Sequence, residues 1–291
     1  MAVFSQVVQA GSYRLASEVL NVTPSALSQT IAALEYALGV SLFHRIGKRL
    51  VLTEEGEHIQ REFHFYYSAL TQALSQATLK ADQVSGLLRI GAYLEFAKFQ
   101  LAPIVSSFQK QFPDVQLKLT FDTPSRLHRM LEAGKLDVCF SIYPERDSKL
   151  IRSKPIYKEE LLLVAPHGKL SERPTFEDVT STPIIEYYMN HQPIRRWLML
   201  QYKKKPKHLP ICTYGATAEM VLALIQQGLG IGMVPEYLLG TKTAKMTAIC
   251  RPSPRKLIDH IWMLQLKGQR PSAALESFTQ AVENGLGRNG R

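Results

Sequence analysis

Apolar residues recur at helical spacing through the first fifty residues of the chain, and turn-forming residues separate the resulting segments. Ser12 can cap a first helix that runs to about Leu20. Thr23 is a good N-cap for a second helix, because Pro24 suits the first helical position and Gly39 suits the C-terminal cap. The pattern therefore predicts two short helices joined by a tight turn.

The second predicted helix has two different faces. At ~100° per residue its apolar side chains gather within about 40° of one line; they are Leu27, Ile31, Leu34 and Leu38. The opposite face is small or polar and comprises Ser25, Gln29, Ala32 and Tyr36, with Ser28 on its flank. Small polar side chains let a helix approach base edges, and Gln can pair bidentately with adenine. This face predicts DNA binding, and the plainer alternative is a solvated face of a small helical domain.

A basic hairpin is predicted directly after this helix. Residues 40–53 form two short strand-like runs around Ile46-Gly47-Lys48. Arg45, Lys48 and Arg49 would stand at the tip of this hairpin, where they could meet phosphates or a narrow minor groove.

A long helix is predicted from Thr53 to about Ala81, a stretch without proline. Its apolar positions recur at alternating spacings of four and three, which is a heptad seam; they are Ile59, Phe63, Tyr66, Leu70, Ala73 and Ala77. A helix of ~28 residues would be ~42 Å long, so an exposed seam of that length needs a partner. The partner is either a second copy of the chain or the C-terminal part of the same chain.

From Gly86 onward, short β-rich runs alternate with helical runs, which predicts parallel sheets flanked by helices. We expect two α/β lobes joined by crossover strands, with lobe one at about 86–158 and 261–285 and lobe two at about 159–260. Ligands of open α/β sheets bind at the carboxyl ends of strands. Those positions are Tyr93, Leu94, Glu95, Phe96, Thr123, Ser125, Ser141, Tyr143, Tyr187, Gly215, Thr217 and Pro235.

Composition narrows the class of protein. The 291 residues are 45% hydrophobic and 21% charged, which is typical of a soluble chain with several domains. No apolar run is long enough for a membrane helix, and no export signal precedes the first helix, so we expect a cytoplasmic protein without a membrane partner. Three separated cysteines, which lie in apolar runs and should be buried, and eight scattered histidines indicate no metal site and no cofactor. No motif of a catalytic site is present.

The distribution of charge does not by itself locate a DNA-binding surface. The chain has a formal net charge of +10, yet residues 1–85 carry six basic and seven acidic groups. The whole surplus lies in the C-terminal part. DNA binding by the N-terminal part must therefore depend on the local placement of its basic side chains.

The N-terminal segment closely resembles the winged helix-turn-helix of LysR-type transcriptional regulators, without a gap over about fifty residues. The matching positions are Phe4, Gly11, Ser12, Ala16, Leu20, Val22, Ser25, Ala26, Leu27, Ser28, Ile31, Leu34, Glu35, Leu38, Gly39, Leu42, Phe43, Arg45, Leu52, Thr53 and Gly56. More loosely, GLLRIGA, FPDVQLKL, LEAGKLDVCFS and GLGIGMVPEYL resemble the effector-binding domain of the same family.

The resemblance implies a multidomain α+β chain. It would have a winged helix-turn-helix at 1–56, a linker and dimerisation helix at 57–85, and a two-lobed domain like periplasmic binding proteins at 86–291. Pro24, Ser25, Ser28, Gln29 and the wing arginine Arg45, with Lys48 and Arg49, would contact DNA. Antiparallel linker helices would form a dimer on inverted-repeat promoter sites, and the C-terminal domains would pair again into a tetramer. A small molecule in the cleft would change DNA bending or contact with RNA polymerase.

Two departures from the family pattern affect specificity. Gln29 stands where the family often has Arg, which changes the expected base preference. Glu95 stands where many members have Ser or Thr to hold a carboxylate, which argues against a simple anionic effector. A solute receptor or an enzyme on the same two-lobed fold is the rival class, but it leaves the first fifty residues without a role. A regulator that senses no ligand stays a third possibility.

Overall fold

The computed structural model describes residues 2–47, 49–78, 84–145, 148–187, 192–240, 247–268 and 271–289. Lys48, one of the predicted DNA-contacting residues, lies outside these ranges, and so do residues 79–83 at the end of the predicted linker.

Three helices and a hairpin build the N-terminal part: α1 (Ala2–Ala10), α2 (Tyr13–Leu20), α3 (Pro24–Leu38), β1 (Phe43–Ile46) and β2 (Arg49–Leu52). Ser12 and Thr23 accept hydrogen bonds from backbone N–H groups at the starts of α2 and α3. Gly39 ends α3 in the left-handed conformation, with a φ of 70°. The predicted helices, their caps and the hairpin are thus confirmed. Leu27 and Ile31 are buried in a core that α1 and the hairpin complete.

The long helix α4 (Glu54–Thr78) begins three residues before the predicted linker boundary at 57. The Thr53 hydroxyl accepts a hydrogen bond from the Gly56 N–H at 2.9 Å and so occupies the N-cap position. The hydroxyl also donates to the Ser41 carbonyl at 2.6 Å, which ties the start of α4 to the chain before the hairpin. The helix is therefore continuous across the predicted boundary between 56 and 57.

The predicted heptad seam is partly covered within the chain. Ile59 packs against the N-terminal core. Farther along α4, Tyr66 and Leu70 are exposed. The side chains of Ala73 and Ala77 lie outside the part of the chain that the structure describes. The exposed section of the seam is the portion available to another molecule.

Lobe one alternates strands and helices as predicted. Its elements are β3 (Gly86–Ala92), α5 (Leu94–Phe96), a π-helical turn (Ala97–Leu101), α6 (Ala102–Gln111), β4 (Val115–Phe121), α7 (Pro124–Glu132) and β5 (Val138–Ser141). Strand β3 pairs in parallel with both β4 and β5, so the carboxyl ends of these strands share one edge of the sheet.

Lobe two begins within a long strand and ends within another. Its elements are β6 (Ile151–Pro166), α8 (Phe176–Ser181), β7 (Ile184–Tyr187), α9 (Pro193–Tyr202), β8 (Ile211–Gly215), α10 (Ala218–Gln226), β9 (Gly232–Pro235), a 3-10 turn (Glu236–Gly240), β10 (Thr247–Cys250) and β11 (Leu257–Leu266). The final helix, α11 (Ala273–Asn289), returns to lobe one, where it buries Phe278, Val282 and Leu286 in the core.

Strands β6 and β11 are the two connections between the lobes. They pair antiparallel within one seven-stranded sheet of order β10-β6-β11-β5-β3-β4, in which β9 also pairs with β6. The predicted lobe boundaries at 158/159 and 260/261 fall inside these strands, next to an irregularity of β11 between Ile261 and Trp262. In this register Glu159 and Asp259 are direct partners on adjacent strands.

The cysteines differ from the expectation in one respect. Cys139 and Cys250 are buried, and burial raises the pKa of their thiols to about 12 and about 11. Cys212, predicted to be buried as well, is exposed. Within the described residues no helix is long and apolar enough to cross a membrane, and no three His, Cys, Asp or Glu side chains are grouped to hold a metal ion.

Candidate DNA interface and interlobe cleft

The outward face of α3 carries the residue types that the sequence predicted. Ser25 and Gln29 are exposed, and Ser28 is half-buried. Tyr36, at the far end of the same face, is 91% exposed. The Thr23 hydroxyl lies 3.1 Å from the Ser25 hydroxyl, so the polar cap and the first turn of α3 form one continuous surface. This face of α3 is therefore free of covering side chains from the described residues and could enter a groove of DNA.

Tyr13 is a residue of this surface that the sequence analysis did not single out. Burial and the nearby Glu35 carboxylate raise the pKa of its hydroxyl, and Arg45 and a hydrogen bond with Ser28 oppose that rise. Tyr13 thus lies between the flank of α3 and the first strand of the hairpin.

The hairpin presents its basic side chains to solvent. Arg45 and Arg49 are exposed on β1 and β2, and Ile46 at the tip is also exposed. The Glu35 carboxylate near the end of α3 accepts hydrogen bonds from the Leu42 and Phe43 N–H groups at 2.6 and 3.3 Å. Since one side chain joins the helix to the first strand, the hairpin is held in a fixed position beside α3.

Two buried carboxylates form the floor of the cleft between the lobes. Glu159 on β6 and Asp259 on β11 are 6% and 8% exposed. Asp259 is bound by both terminal nitrogens of the Arg196 guanidinium, which reaches it from α9. Glu159 accepts a hydrogen bond from the Tyr93 hydroxyl at 3.3 Å. The crossover strands thus carry a pair of acids where the lobes meet.

The environment of Glu159 favours its neutral form. Burial raises the pKa of the Glu159 carboxyl to about 7, and the nearby Asp259 charge adds to the rise. The hydroxyls of Tyr93 and Tyr237 oppose it. Burial and the Glu159 and Glu95 carboxylates in turn raise the pKa of Tyr93, Tyr187 and Tyr237. The floor therefore consists of protonated phenols around an acid that titrates near neutral pH.

Glu95 crosses the cleft. Its Oε1 accepts a hydrogen bond from the Ala218 N–H at 2.7 Å, at the first residue of α10 in lobe two. Lys98 forms an ion pair with Glu219 of the same helix at 2.7 Å. The ring of Phe99 lies 5.2 Å from that of Tyr237. Three contacts therefore join the first helix of lobe one to lobe two.

Several predicted cleft residues come together at this place. Tyr93 and Glu95 touch the floor or the opposite lobe, and Tyr187 lies within electrostatic range of Glu159. Thr217 caps α10 by accepting a hydrogen bond from the Met220 N–H at 3.2 Å. Burial and the nearby Asp259 carboxylate raise the pKa of the Tyr143 hydroxyl, and Arg196 opposes that rise.

The remaining predicted cleft residues occupy other environments. Phe96 is completely buried in the core of lobe one, where its ring lies 5.5 Å from that of Phe140, so the structure assigns it to packing rather than to a ligand. Gly215 and Pro235 are buried at strand ends of lobe two. Leu94 is exposed beside Glu95, and Thr123 and Ser125 are exposed at the start of α7.

Ser141 belongs to a chain of hydrogen bonds that the sequence did not reveal. His128 Nε2 lies 3.0 Å from the Ser141 hydroxyl, and His128 Nδ1 lies 2.9 Å from Glu145 Oε2. This order resembles the serine, histidine and acid of a hydrolase. Ser141 is 0% exposed, however, and its hydroxyl also accepts the Tyr143 N–H at 3.2 Å. Because no substrate reaches this oxygen, we assign the chain a structural role in holding the loop that carries Tyr143.

Sequence reasoning missed the residues of the floor and of the opposite wall; they are Lys98, Phe99, Glu159, Arg196, Glu219, Tyr237 and Asp259. One signal was present. Glu159 follows Lys158 in a strand that continues as the apolar run Leu161–Ala165, and a carboxylate entering such a run needs a specific partner.

In a comparison with known proteins, both the N-terminal and the C-terminal part of the chain match models of one family. The family model described as bacterial regulatory helix-turn-helix protein, lysR family, matches residues 1–57, and the model described as LysR substrate binding domain matches residues 81–287. The uncharacterized HTH-type transcriptional regulator YybE of Bacillus subtilis is 28% identical over 276 residues, which cover 92% of this chain and 91% of YybE. The uncharacterized HTH-type transcriptional regulator YeiE of Escherichia coli is 26% identical over 288 residues, which cover 96% of this chain and 94% of YeiE.

Solved structures share the fold. ArgP from Mycobacterium tuberculosis aligns with a TM-score of 0.78 at 22% identity, covering 98% of this chain and 95% of ArgP. Full-length LysG from Corynebacterium glutamicum, whose structure contains the bound effector Arg, aligns with a TM-score of 0.68 at 18% identity, covering 99% of this chain and 98% of LysG.

Proposed function

Because this chain belongs to the LysR family of transcriptional regulators, we propose that α3 and the β1–β2 hairpin are its DNA-reading surface and that a small molecule in the interlobe cleft controls it. The observation that carries the first part is the exposed face of α3, with hydroxyl and amide side chains beside a basic hairpin. We retain the division into 1–56, 57–85 and 86–291, with the protein acting in the cytoplasm. Contact with RNA polymerase is part of the same proposal.

The residues of the DNA surface take separate roles in this proposal. Ser25, Ser28 and Gln29, with Pro24 at the first turn, would enter the major groove, where side chains read base edges. Arg45 and Arg49, with Lys48, would contact phosphates or the adjacent minor groove. Footprinting on the DNA that flanks the protein's own gene would identify a site for the measurements that follow.

We expect Arg45→Ala to weaken binding to all duplexes, because it removes a phosphate contact that carries no sequence information. The slope of log affinity against log salt should fall by about one per protomer. Lys110→Ala, which removes one exposed charge from lobe one, is the matched control and should leave affinity unchanged. The measurement is a fluorescence-anisotropy titration at several salt concentrations.

Gln29→Ala should instead relax the preference at one base pair in each half-site. A bidentate amide–adenine pair is worth about 1–3 kcal/mol of discrimination. Thr30→Ala is the control on the same helix, since the Thr30 hydroxyl bonds its own Ala26 carbonyl at 2.9 Å. Titration of single-base variants of the site measures the effect. Equal losses on specific and random duplex for both Arg45→Ala and Gln29→Ala would contradict this assignment of roles.

The exposed part of the α4 seam supports a dimer. We expect Leu70→Glu to raise the dissociation constant of the dimer by about tenfold or more, because a carboxylate would be buried in an apolar interface. His58→Glu places the same charge on an exposed position of α4 outside the seam and should dimerise normally. Sedimentation equilibrium compares the two variants. A dimer that Leu70→Glu leaves intact would place the interface elsewhere.

The cleft is the proposed effector site, and the acids of its floor define its chemistry. A ligand that enters between Tyr93, Tyr143 and Tyr187 meets phenol hydroxyls, the edges of aromatic rings and the carboxyls of Glu159 and Asp259. A metabolite screen by thermal shift tests this proposal, since a molecule that binds only the folded state raises the melting temperature. If no metabolite changes the melting temperature while DNA binding is normal, the effector part of the proposal fails and the DNA-binding part stands.

A further inference from the structure

We propose that the Glu95 carboxylate is a built-in closing group, which occupies the N-terminus of α10 in place of an external anion and holds the two lobes together without an effector. The inference rests on the proposed function only in taking the cleft as the regulatory site. The contacts that carry it do not involve DNA.

The first argument concerns the free N–H groups at the start of α10. The first N–H groups of a helix have no partner within the helix, and they attract anions. In α10 the Thr217 hydroxyl takes the Met220 N–H, and the Val221 N–H bonds the Thr217 carbonyl. The Ala218 N–H is taken by Glu95 at 2.7 Å. The position that a ligand carboxylate would use therefore holds a carboxylate of the chain itself.

The second argument is that Glu95 does not act alone. Lys98 pairs with Glu219 at 2.7 Å, and the Phe99 ring packs on Tyr237 and on the apolar cluster behind α10. Each contact joins lobe one to lobe two. Glu95 and Lys98 thus connect the first helix of lobe one to α10 by a charge-assisted hydrogen bond and an ion pair, and Phe99 connects it to the 3-10 turn Glu236–Gly240 by an aromatic contact.

The backbone provides a reason why these three side chains face the same way. The helix that follows Tyr93 contains a π-helical turn at Ala97–Leu101. A turn of this kind changes the angular spacing of side chains and is frequent at functional sites. Ala97 and Leu101 face the core of lobe one, whereas Lys98 and Phe99 reach lobe two. Glu95, Lys98 and Phe99 stand at positions i, i+3 and i+4 and therefore share one face of the helix, which is the face turned to lobe two.

A consequence for ligand chemistry follows. A small carboxylate cannot use the α10 N-terminus while Glu95 is there, and the floor below it carries two further acids. The Glu95 side chain thus joins the two lobes in the way that a small anionic effector otherwise would. Acetate should accordingly have no effect on the wild-type protein.

Hydrogen exchange and chemical rescue test the proposal in the full-length protein. In Glu95→Ala we expect exchange at the first amides of α10 to accelerate on the order of tenfold to a hundredfold, the range for loss of a hydrogen bond to a charged group. Millimolar acetate should slow this exchange again and raise the melting temperature of Glu95→Ala, with chloride at equal ionic strength as the control. Glu95→Gln keeps an acceptor of the same shape and should lose less protection than Glu95→Ala.

Glu177→Ala is the matched control, because it removes an exposed carboxylate whose partner, Lys204, lies in the same lobe at 3.5 Å. It should change neither the exchange of α10 nor the response to acetate. Unchanged exchange in Glu95→Ala, or an acetate response of the wild-type protein, would overturn the proposal. Both readouts are taken without DNA. A wild-type protein that fails to bind DNA would count against the proposed function and not against the closing group.

Discussion

Replacing Glu159 by Gln should stabilise the protein at pH 8 by about 3 kcal/mol relative to wild type. The pKa of Glu159 rises from 4.5 to about 7 on folding, and a rise of that size corresponds to about 3 kcal/mol. The folded state binds the proton more tightly than the unfolded state. The free energy of unfolding is therefore greatest below 4.5, falls as the pH rises toward about 7, and is flat above it. Gln is neutral at every pH and removes this loss.

The measurement is chemical denaturation of both proteins at several values between pH 4.5 and pH 8. The two stability curves should nearly coincide at the acidic end and diverge as the pH rises. Glu160→Gln on the same strand is the control, since the Glu160 carboxylate pairs with Lys256 and lies near Arg251. It should not reproduce the divergence. Parallel curves for Glu159→Gln and wild type would show that the carboxyl of Glu159 does not hold its proton in the folded state.

Burial is the main cause of the raised pKa of Glu159, and the groups around it adjust the size of the shift. Asp259 on β11 and Glu95 on the facing helix raise its pKa, whereas the hydroxyls of Tyr93 and Tyr237 lower it. Arg196 binds Asp259 and so partly cancels the largest of the neighbouring charges. The pH dependence of stability therefore arises from residues at the junction of the two lobes.

Replacing Gly56 by Ala should destabilise the N-terminal domain by about 1–3 kcal/mol and thereby weaken DNA binding, without affecting the C-terminal domain. A Cβ atom on Gly56 would lie 2.2 Å from the Leu42 carbonyl oxygen and 3.0 Å from the Leu42 carbonyl carbon. Neither atom can yield without moving the chain that leads into the hairpin. Overpacking of this kind costs about 1–3 kcal/mol and sometimes more. The N-terminal domain should lose its fixed hairpin first, because the clash lies at its root.

Gly39→Ala separates this steric effect from a conformational one. Gly39 has a φ of 70° but nothing within 4 Å of the added methyl group. Gly39→Ala should therefore lower the stability only by the strain of placing a non-glycine residue in the left-handed conformation, about 1–2 kcal/mol. Calorimetry should show one lowered transition and one unchanged transition in Gly56→Ala, and DNA titration should follow the lowered one. An unchanged affinity in Gly56→Ala would mean that the hairpin adapts to the methyl group.

The surface proposed to read DNA could be predicted from the sequence, because the residues that define its elements are local. Thr23, Pro24 and Gly39 set the limits of α3, and periodicity separates Leu27 and Ile31 from Ser25 and Gln29. Caps and faces depend on neighbours within a few turns, so they can be read from a short window. The hairpin likewise follows from two short strands around a glycine.

Only some of the cleft residues could be predicted from the sequence, and the reason is geometric. The carboxyl ends of strands identify Tyr93, Glu95 and Thr217, since each lies directly after or near a strand. Glu159 and Asp259 become neighbours only through the pairing of β6 with β11, whose register no local pattern reveals. Phe96 shows the converse limit. It follows Glu95 along the chain, but the next position on a helix faces a different side, which here is the core.

The return of α11 and of the second half of β11 to lobe one has a consequence for synthesis on the ribosome. Lobe two is formed by one continuous stretch and can complete its contacts as soon as that stretch has emerged. Lobe one must wait for Trp262–Leu264 to pair with β5 and for Phe278, Val282 and Leu286 to fill its centre. During translation the earlier segment of lobe one therefore exposes an unfinished apolar face. A nonsense mutation shortly after lobe two would leave that face exposed permanently, and such a fragment would be a natural target for chaperones and proteases.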